Sequence, residues 1–117
     1  MPWLLREGEV LAALEIATSR RDRRRGLLGR DGFDGALLLD PARAVHTLRM
    51  RFPIDVAFCA RGDDGLMVVG IASMPRRRIG RPRLRATCVI EAEMGAFERW
   101  KLATGDQLEV ALADEGS

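Results

Sequence analysis

The stretch HTLRMRFPID, residues 46–55, collects more potential functional groups than any other part of the chain. It contains the only histidine, two arginines and an aspartate that closely follows Pro53. Apolar and polar side chains alternate through residues 45–52, which predicts a strand with two distinct faces. One face is expected to carry His46, Leu48, Met50 and Phe52, and the other Val45, Thr47, Arg49 and Arg51.

Further strands are predicted on both sides of this stretch, and they define the fold class. Pro53 has no amide for a strand ladder, so it separates residues 45–52 from a second strand over residues 54–60. A loop at residues 61–65 and a strand over residues 66–74 complete a hairpin. Other short strands are expected at residues 3–6, 10–18, 36–39, 86–93 and 108–112. Many short strands at regular spacing favour a mostly-β barrel or sandwich.

Two short helices are expected between the strands. Ser19 is typical of a helix N-cap, and Asp22 would follow at the third helical position. This helix is predicted to run over residues 20–28 and to end at Gly29. The second covers residues 95–101, where Phe97 and Trp100 have the spacing to reach the core together.

Composition places the chain among ordinary globular proteins. Its 117 residues suit one domain, with a core over about residues 10–112 and a frayed tail at residues 113–117. The net charge of +2 is too small to mark a nucleic-acid binder by itself. No signal peptide or membrane span is evident, and two cysteines without a CxxC motif are too few for a disulfide scaffold, so the cytoplasm is the expected location.

The order of several short motifs resembles a known family. Arg25-Gly26-Leu27-Leu28-Gly29-Arg30 comes first, followed by His46-Thr47 with Met50, Pro53-Ile54-Asp55, and later Val89-Ile90-Glu91, Gly95 and Gly105-Asp106. Over about residues 10–110 this pattern is similar to the bacterial and archaeal family called domain of unknown function 192. The resemblance implies a compact, mostly-β domain with short helices, and it supplies no activity. Where many relatives carry Trp-Met-Lys-Asn-Thr, this chain has Leu48-Arg49-Met50-Arg51-Phe52.

One group of side chains is the candidate ligand-binding site: His46, Thr47, Arg49, Asp55 and Glu91. Histidine titrates near neutrality, so His46 could act as a base or ligand. The apolar residues predicted on the same strand face favour a structural role instead. Asp55 lies in a strand fit for burial, so backbone amides or an arginine, Arg49 or Arg51, are expected to bind it. Glu91 and Glu93 share one strand face, where a carboxylate pair could do acid–base work, although an outward polar edge is favoured. A thiol triad of Cys59 with His46 and Asp55 is the least favoured arrangement.

The arginines are concentrated in two clusters, which together hold 12 of the 18 in the chain. The first comprises Arg20, Arg21, Arg23, Arg24, Arg25 and Arg30, and the second Arg76, Arg77, Arg78, Arg81, Arg83 and Arg85. If the fold brings both to one face, an anion-binding surface results, with Arg25, Arg30, Arg76, Arg77 and Arg78 as its candidate residues. No interleaved aromatic residues are present for base stacking, so a solvated face or an acidic partner protein is at least as well supported.

These observations favour an accessory domain that binds a small ligand or a protein, without catalysis. Two alternatives stay open, which are a nucleic-acid-binding accessory that uses the arginine clusters and an enzyme that uses His46 and Asp55. No cofactor is expected, and one histidine with two separated cysteines does not predict a metal site. No membrane partner is expected either.

Overall fold

The computed structural model describes residues 2–112, which contain seven strands and two short helices. In chain order they are β1 (Trp3–Arg6), β2 (Glu9–Ala17), α1 (Arg20–Arg25), β3 (Ala36–Leu39), β4 (Ile54–Gly62), β5 (Gly65–Met74), β6 (Cys88–Glu93), α2 (Ala96–Trp100) and β7 (Gln107–Ala111). The strands close into a barrel in the order β1-β2-β3-β6-β4-β5-β7. The prediction of a mostly-β barrel or sandwich with two short helices is therefore confirmed, and the strands form the barrel. The tail at residues 113–117 lies outside the described residues.

The hairpin of β4 and β5 is the longest strand pair of the barrel, and its location was predicted from the sequence. The two strands pair antiparallel from Ile54 opposite Met74 to Gly62 opposite Gly65, with a tight turn between them. Gly65 has a φ of 114°, and a β-carbon there would collide with the Leu108 carbonyl on β7. Glycine at this position therefore allows the hairpin tip to approach the closing strand.

Alternation along the strands divides the apolar side chains into two buried clusters. The inner cluster fills the barrel with residues from all seven strands, among them Leu4, Leu14, Leu38, Val68, Ile90 and Leu108. Helix α2 closes one end of the barrel by adding Ala96 and Phe97 to this cluster. The outer cluster lies on the outward face of β3, β6 and β4 and includes Leu37, Leu39, Val56 and Val89.

A layer of irregular chain covers this outward face, and it includes the stretch that was predicted to be a strand. Residues 45–52 form no strand; only His46 makes an isolated bridge, to Ile79. Thr47 accepts a hydrogen bond from the Met50 amide (3.1 Å), and Arg49 adopts a positive φ of 65°, so the chain turns there. The turn breaks the predicted alternation: Met50 and Phe52 are buried, whereas His46 and Leu48 are exposed.

Helix α1 begins as predicted but ends early. The Ser19 side chain accepts a hydrogen bond from the Asp22 amide at 3.0 Å, which confirms the cap. The helix ends at Arg25 rather than at Leu28, because Gly26 takes a φ of 48° and turns the chain toward the barrel. Leu27 is thereby buried against the outer cluster. Neither helix, nor any other helical segment within residues 2–112, is long and apolar enough to cross a membrane.

Candidate ligand cavity

A cavity of about 280 Å³ lies between the barrel wall and the layer that covers it. Its floor includes Glu91 of β6 and Leu39 of β3. Its walls come from the end of α1 with the following turn and from the two covering segments around residues 44–50 and 79–80. The full lining is Arg23, Arg24, Arg25, Gly26, Leu27, Leu28, Leu39, Ala44, Val45, His46, Met50, Ile79, Gly80 and Glu91. We call this the Glu91 cavity.

Glu91 is the unusual residue of the cavity, because it is a carboxylic acid on the covered face of the barrel. Its neighbours across the two adjacent strands are Leu37 and Val56, both buried. Only 5% of Glu91 is exposed. Within residues 2–112 its carboxyl group receives no hydrogen bond and has no cationic group within ion-pair distance, and its oxygens keep contact with the space of the cavity. The expected outward polar edge is therefore wrong for Glu91 and applies only to Glu93, which is exposed.

The surroundings of Glu91 favour its neutral form. Burial raises the pKa of the Glu91 carboxyl from 4.5 to about 7, because the charged form loses water without gaining a partner. A group poised in this way can donate or accept a proton near neutral pH. It can equally serve as a strong hydrogen-bond partner for a ligand that supplies the missing donor.

Gly26 leaves open the space next to this carboxyl. A β-carbon at position 26 would lie 3.6 Å from Glu91 Oε1, in contact with the oxygen. Glycine is also suited to the positive φ at this position, so one residue both turns the chain and exposes the carboxyl to the cavity. Gly26 was not among the predicted site residues, because the strand beneath it is 65 residues away in sequence.

The predicted ligand-binding residues divide between this cavity and the structural framework. His46 and Glu91 line the cavity together. Thr47, Arg49 and Asp55 do not line it. Two of the five residues of the candidate site therefore lie at one cavity, and their role as ligand-binding residues stays a prediction.

Thr47 connects the two covering segments. It is fully buried, and its hydroxyl donates to the Pro75 carbonyl at 2.6 Å and accepts from the Arg78 amide at 2.8 Å. Its backbone adds bonds to Arg77 and Arg78. Arg49, next to it in the turn, is exposed. Thr47 thus fixes the segment around residues 44–50, which lines the cavity, to the segment that contains Arg77 and Arg78.

Asp55 anchors α2 to the end of the barrel. Its carboxylate accepts hydrogen bonds from the Gly95 amide (2.9 Å), the Phe97 amide (3.1 Å) and the Ser73 hydroxyl (3.0 Å). The expectation of backbone amide partners is confirmed, whereas the arginine partner is wrong, because Arg51 pairs with Asp31 instead. These three bonds account for the burial of Asp55.

The arginines predicted to bind anions have different surroundings. Arg25 lines the cavity and is exposed. Arg30 forms a bidentate pair with Glu15 at 2.9 and 3.0 Å and lies over the ring of Phe33. Arg76, Arg77 and Arg78 are exposed and directly precede Ile79 at the cavity wall. The chain segments of the two clusters therefore meet at the Glu91 cavity.

The cysteines lie in the barrel interior and do not form a catalytic group with His46. Cys59 and Cys88 are opposite each other on β4 and β6, both fully buried and both free thiols. The neighbouring Cys88 thiol, together with burial, raises the pKa of the Cys59 thiol. A thiol that resists ionisation is a poor nucleophile, which argues against the triad. Within residues 2–112, no three His, Cys, Asp or Glu side chains form a metal-binding group.

Two solved structures share this fold. A protein of unknown function from Novosphingobium aromaticivorans aligns with a TM-score of 0.73 and 19% identity, over 92% of this chain and 82% of its own. A Sinorhizobium meliloti protein described as a "putative transcription regulator" aligns with a TM-score of 0.76 and 22% identity, over 93% of this chain and 91% of its own. At these identities the likeness concerns the fold alone. No curated protein matches the chain significantly.

The family model of DUF192, described as an uncharacterized ACR, matches residues 4–110. The match spans the closed barrel from β1 to β7 and includes every residue that lines the Glu91 cavity. The chain therefore belongs to the family of domain of unknown function 192.

Proposed function

We propose that this protein is a binding module for a small molecule, which occupies the Glu91 cavity. The observation that carries the proposal is the Glu91 carboxyl, whose residue is 5% exposed, whose oxygens keep contact with the cavity, and which receives no hydrogen bond from the described residues. An unpaired buried carboxyl costs stability, and an apolar residue of similar size would remove that cost. A ligand that supplies a hydrogen-bond donor gives this carboxyl a function that offsets the cost.

The shape and lining of the cavity support the same proposal. A volume of about 280 Å³ is close to the lower end of typical small-molecule sites. Leu27, Leu39, Val45 and Met50 supply apolar walls, while Glu91 and the arginines supply polar contacts. A few polar groups in a mostly apolar concavity are typical of ligand sites, because the walls give affinity and the polar groups fix orientation.

The proposal is tested by titrating fragment-sized amines, amides and carboxylates into ¹⁵N-labelled protein. We expect ligand-induced chemical-shift changes to cluster at Gly26, Leu39, His46 and Glu91. Ala44 is exposed at the cavity edge, so Ala44→Trp should obstruct entry and abolish these changes without unfolding the protein. Ala103→Trp, at an exposed turn outside the cavity, is the matched control. Shift changes that scatter over the surface, or that survive Ala44→Trp, would contradict the proposal.

Nucleic-acid binding is a second candidate, favoured by the chain segments of the two arginine clusters, which both contribute residues to the lining of the Glu91 cavity. The description of the Sinorhizobium meliloti neighbour as a "putative transcription regulator" is compatible with nucleic-acid binding. Exposed arginines would contact phosphates, so binding should weaken steeply as salt concentration rises. The triple variant R76Q/R77Q/R78Q should then reduce both the affinity for duplex DNA and its salt dependence. DNA affinity that is equal in the variant and the native protein would exclude this role for the second cluster.

We also propose a cytoplasmic location. Cys59 and Cys88 are opposite each other on paired strands and are free thiols. Such a pair fits a reducing compartment, where thiols persist without forming disulfides.

A further inference from the structure

We propose that the ligand of the Glu91 cavity is a small zwitterion, with an ammonium group bound by Glu91, an apolar body along the cavity walls, and a carboxylate or phosphate held at the mouth by Arg24 and Arg25. This inference rests on the proposed function and names the class of molecule that the cavity takes. It follows from the burial of the residues that line the cavity, since Glu91, Leu39 and Met50 are buried whereas Arg24 and Arg25 are exposed.

The floor of the cavity requires a donor. Glu91 Oε1 has the open space of Gly26 beside it, and no donor from residues 2–112 occupies that space. A hydroxyl would satisfy one oxygen, but an ammonium group offers three N–H donors and also compensates the charge of the carboxylate. Charge-assisted hydrogen bonds are the strongest available to a carboxylate, so an ammonium group is the best complement for this floor.

The mouth of the cavity requires an anion. Arg23 is committed to the framework, since it donates to the Thr18 and Pro41 carbonyls at 3.1 and 3.0 Å. Arg24 and Arg25 line the cavity, are exposed, and form no ion pair or side-chain hydrogen bond with the described residues. Both guanidinium groups are therefore available to bind a carboxylate or phosphate.

A ligand with only one of the two charges fits poorly. The other titratable or charged residues that line the cavity with Glu91 are Arg23, Arg24, Arg25 and His46, and none of them is an acid. A simple amine would meet the positive charge of the mouth on its way to Glu91. A simple carboxylate would satisfy the arginines and leave the Glu91 carboxyl unpaired. A zwitterion with separated charges complements both ends, and Leu28, Leu39 and Met50 provide apolar lining for the methylene groups between them.

The test compares ω-amino acids with analogues that lack one charge. γ-Aminobutyrate, δ-aminovalerate and ε-aminocaproate are titrated into the protein and followed by NMR, with caproate and hexylamine as the one-charge analogues. At least one of the amino acids should bind about tenfold more tightly than either analogue. Each analogue lacks one of the two charged groups and so loses one charge-assisted hydrogen bond to the protein.

Variants assign each charge to its residue. In the Glu91→Gln variant, the amino acid should no longer bind more tightly than caproate. In the double variant R24Q/R25Q, the amino acid should no longer bind more tightly than hexylamine. Glu93→Gln on the same strand and R20Q/R21Q on the same helix are the matched controls and should keep both preferences. Circular dichroism and thermal melting show that each variant is folded.

Three results would overturn the inference in different ways. Caproate that binds as tightly as the best amino acid, with shift changes at the cavity, would refute the zwitterion and leave the cavity as a ligand site. If no ω-amino acid binds while another fragment class does so at Gly26 and Glu91, the zwitterion is again refuted but the proposed function stands. If nothing binds there, both proposals are wrong.

Discussion

At the scale of single residues, Asp55 and Glu91 show how differently two buried carboxyl groups are used. Asp55 accepts three hydrogen bonds and joins α2 to the barrel, so its burial is structurally compensated. Glu91 has no such compensation within the described residues, although it is as well buried. The contrast identifies Asp55 as a framework residue and Glu91 as the candidate binding residue.

The unpaired state of Glu91 predicts that stability falls as pH rises. The unfolded chain releases this proton near pH 4.5, whereas the folded protein holds it until about pH 7 because burial raises the pKa of Glu91. The unfolded state thus binds fewer protons between these values, and stability is lost across that window. The Glu91→Gln variant should not show this loss. Above pH 8, its free energy of unfolding should exceed that of the native protein by about 3 kcal/mol.

Urea denaturation at pH 5 and pH 8 measures this difference, with Glu93→Gln as the control from the same strand. Because Glu93 is exposed, its variant should follow the pH dependence of the native protein. Equal losses of stability for the native protein and Glu91→Gln would show that Glu91 ionises normally in the fold.

At the scale of elements, the sequence predicted local features well and the covering layer poorly. The β4–β5 hairpin and the Ser19 cap are encoded by neighbouring residues, so their signals are visible in the chain. Residues 45–52 alternate like a strand, but their partners are the backbone groups of residues 75–80, about thirty positions away. The hydroxyl of Thr47 adds a bond to the Pro75 carbonyl and one from the Arg78 amide, and no local pattern reveals these partners.

The same reason explains what was missed at the site. The apolar neighbours of Glu91 on β6 favoured a strand, which was correct, and its charge favoured solvent exposure, which was wrong. Glu91 is covered because Gly26 and the segment around Val45 pack over β6 from distant parts of the chain. A single sequence does not show which strand face such segments will cover.

The role of Thr47 predicts the behaviour of the covering layer. Thr47→Val keeps the shape of the side chain but leaves the Pro75 carbonyl and the Arg78 amide without their partner. We expect a loss of about 2 kcal/mol of stability and faster hydrogen exchange at Arg77 and Arg78. Thr104→Val, at an exposed turn, is the control and should change stability by less than about 0.5 kcal/mol. Unchanged exchange at Arg78 would contradict the role of this hydroxyl.

At the scale of the whole molecule, closure of the barrel depends on β1. This strand pairs with both β2 and β7, and Leu4 on it is fully buried in the inner cluster. Arg6 strengthens the closure, since it donates to the Trp100 carbonyl at 2.6 Å and to Asp106 at 3.0 Å. The two ends of the described chain are thereby joined in one sheet.

This closure predicts that a small change in β1 destabilises the entire fold. Leu4→Ala removes buried methyl groups from the inner cluster and should cost about 3 kcal/mol in urea denaturation. Val10→Ala, at a position of β2 that is 54% exposed, should cost less than about 0.5 kcal/mol. Similar costs for the two variants would mean that β1 is not part of the cooperative core.

At the floor of the cavity, the Glu91 side chain is largely buried, and its carboxyl group receives no hydrogen bond from residues 2–112. The most direct measurement is an NMR titration of the ¹³C-labelled Glu91 side chain in the ligand-free protein. A midpoint at about pH 7 is predicted, because burial without a partner raises the pKa of this carboxyl. A midpoint near its ordinary value of 4.5 would contradict the claim, since it would show that water or a cationic group compensates the charge.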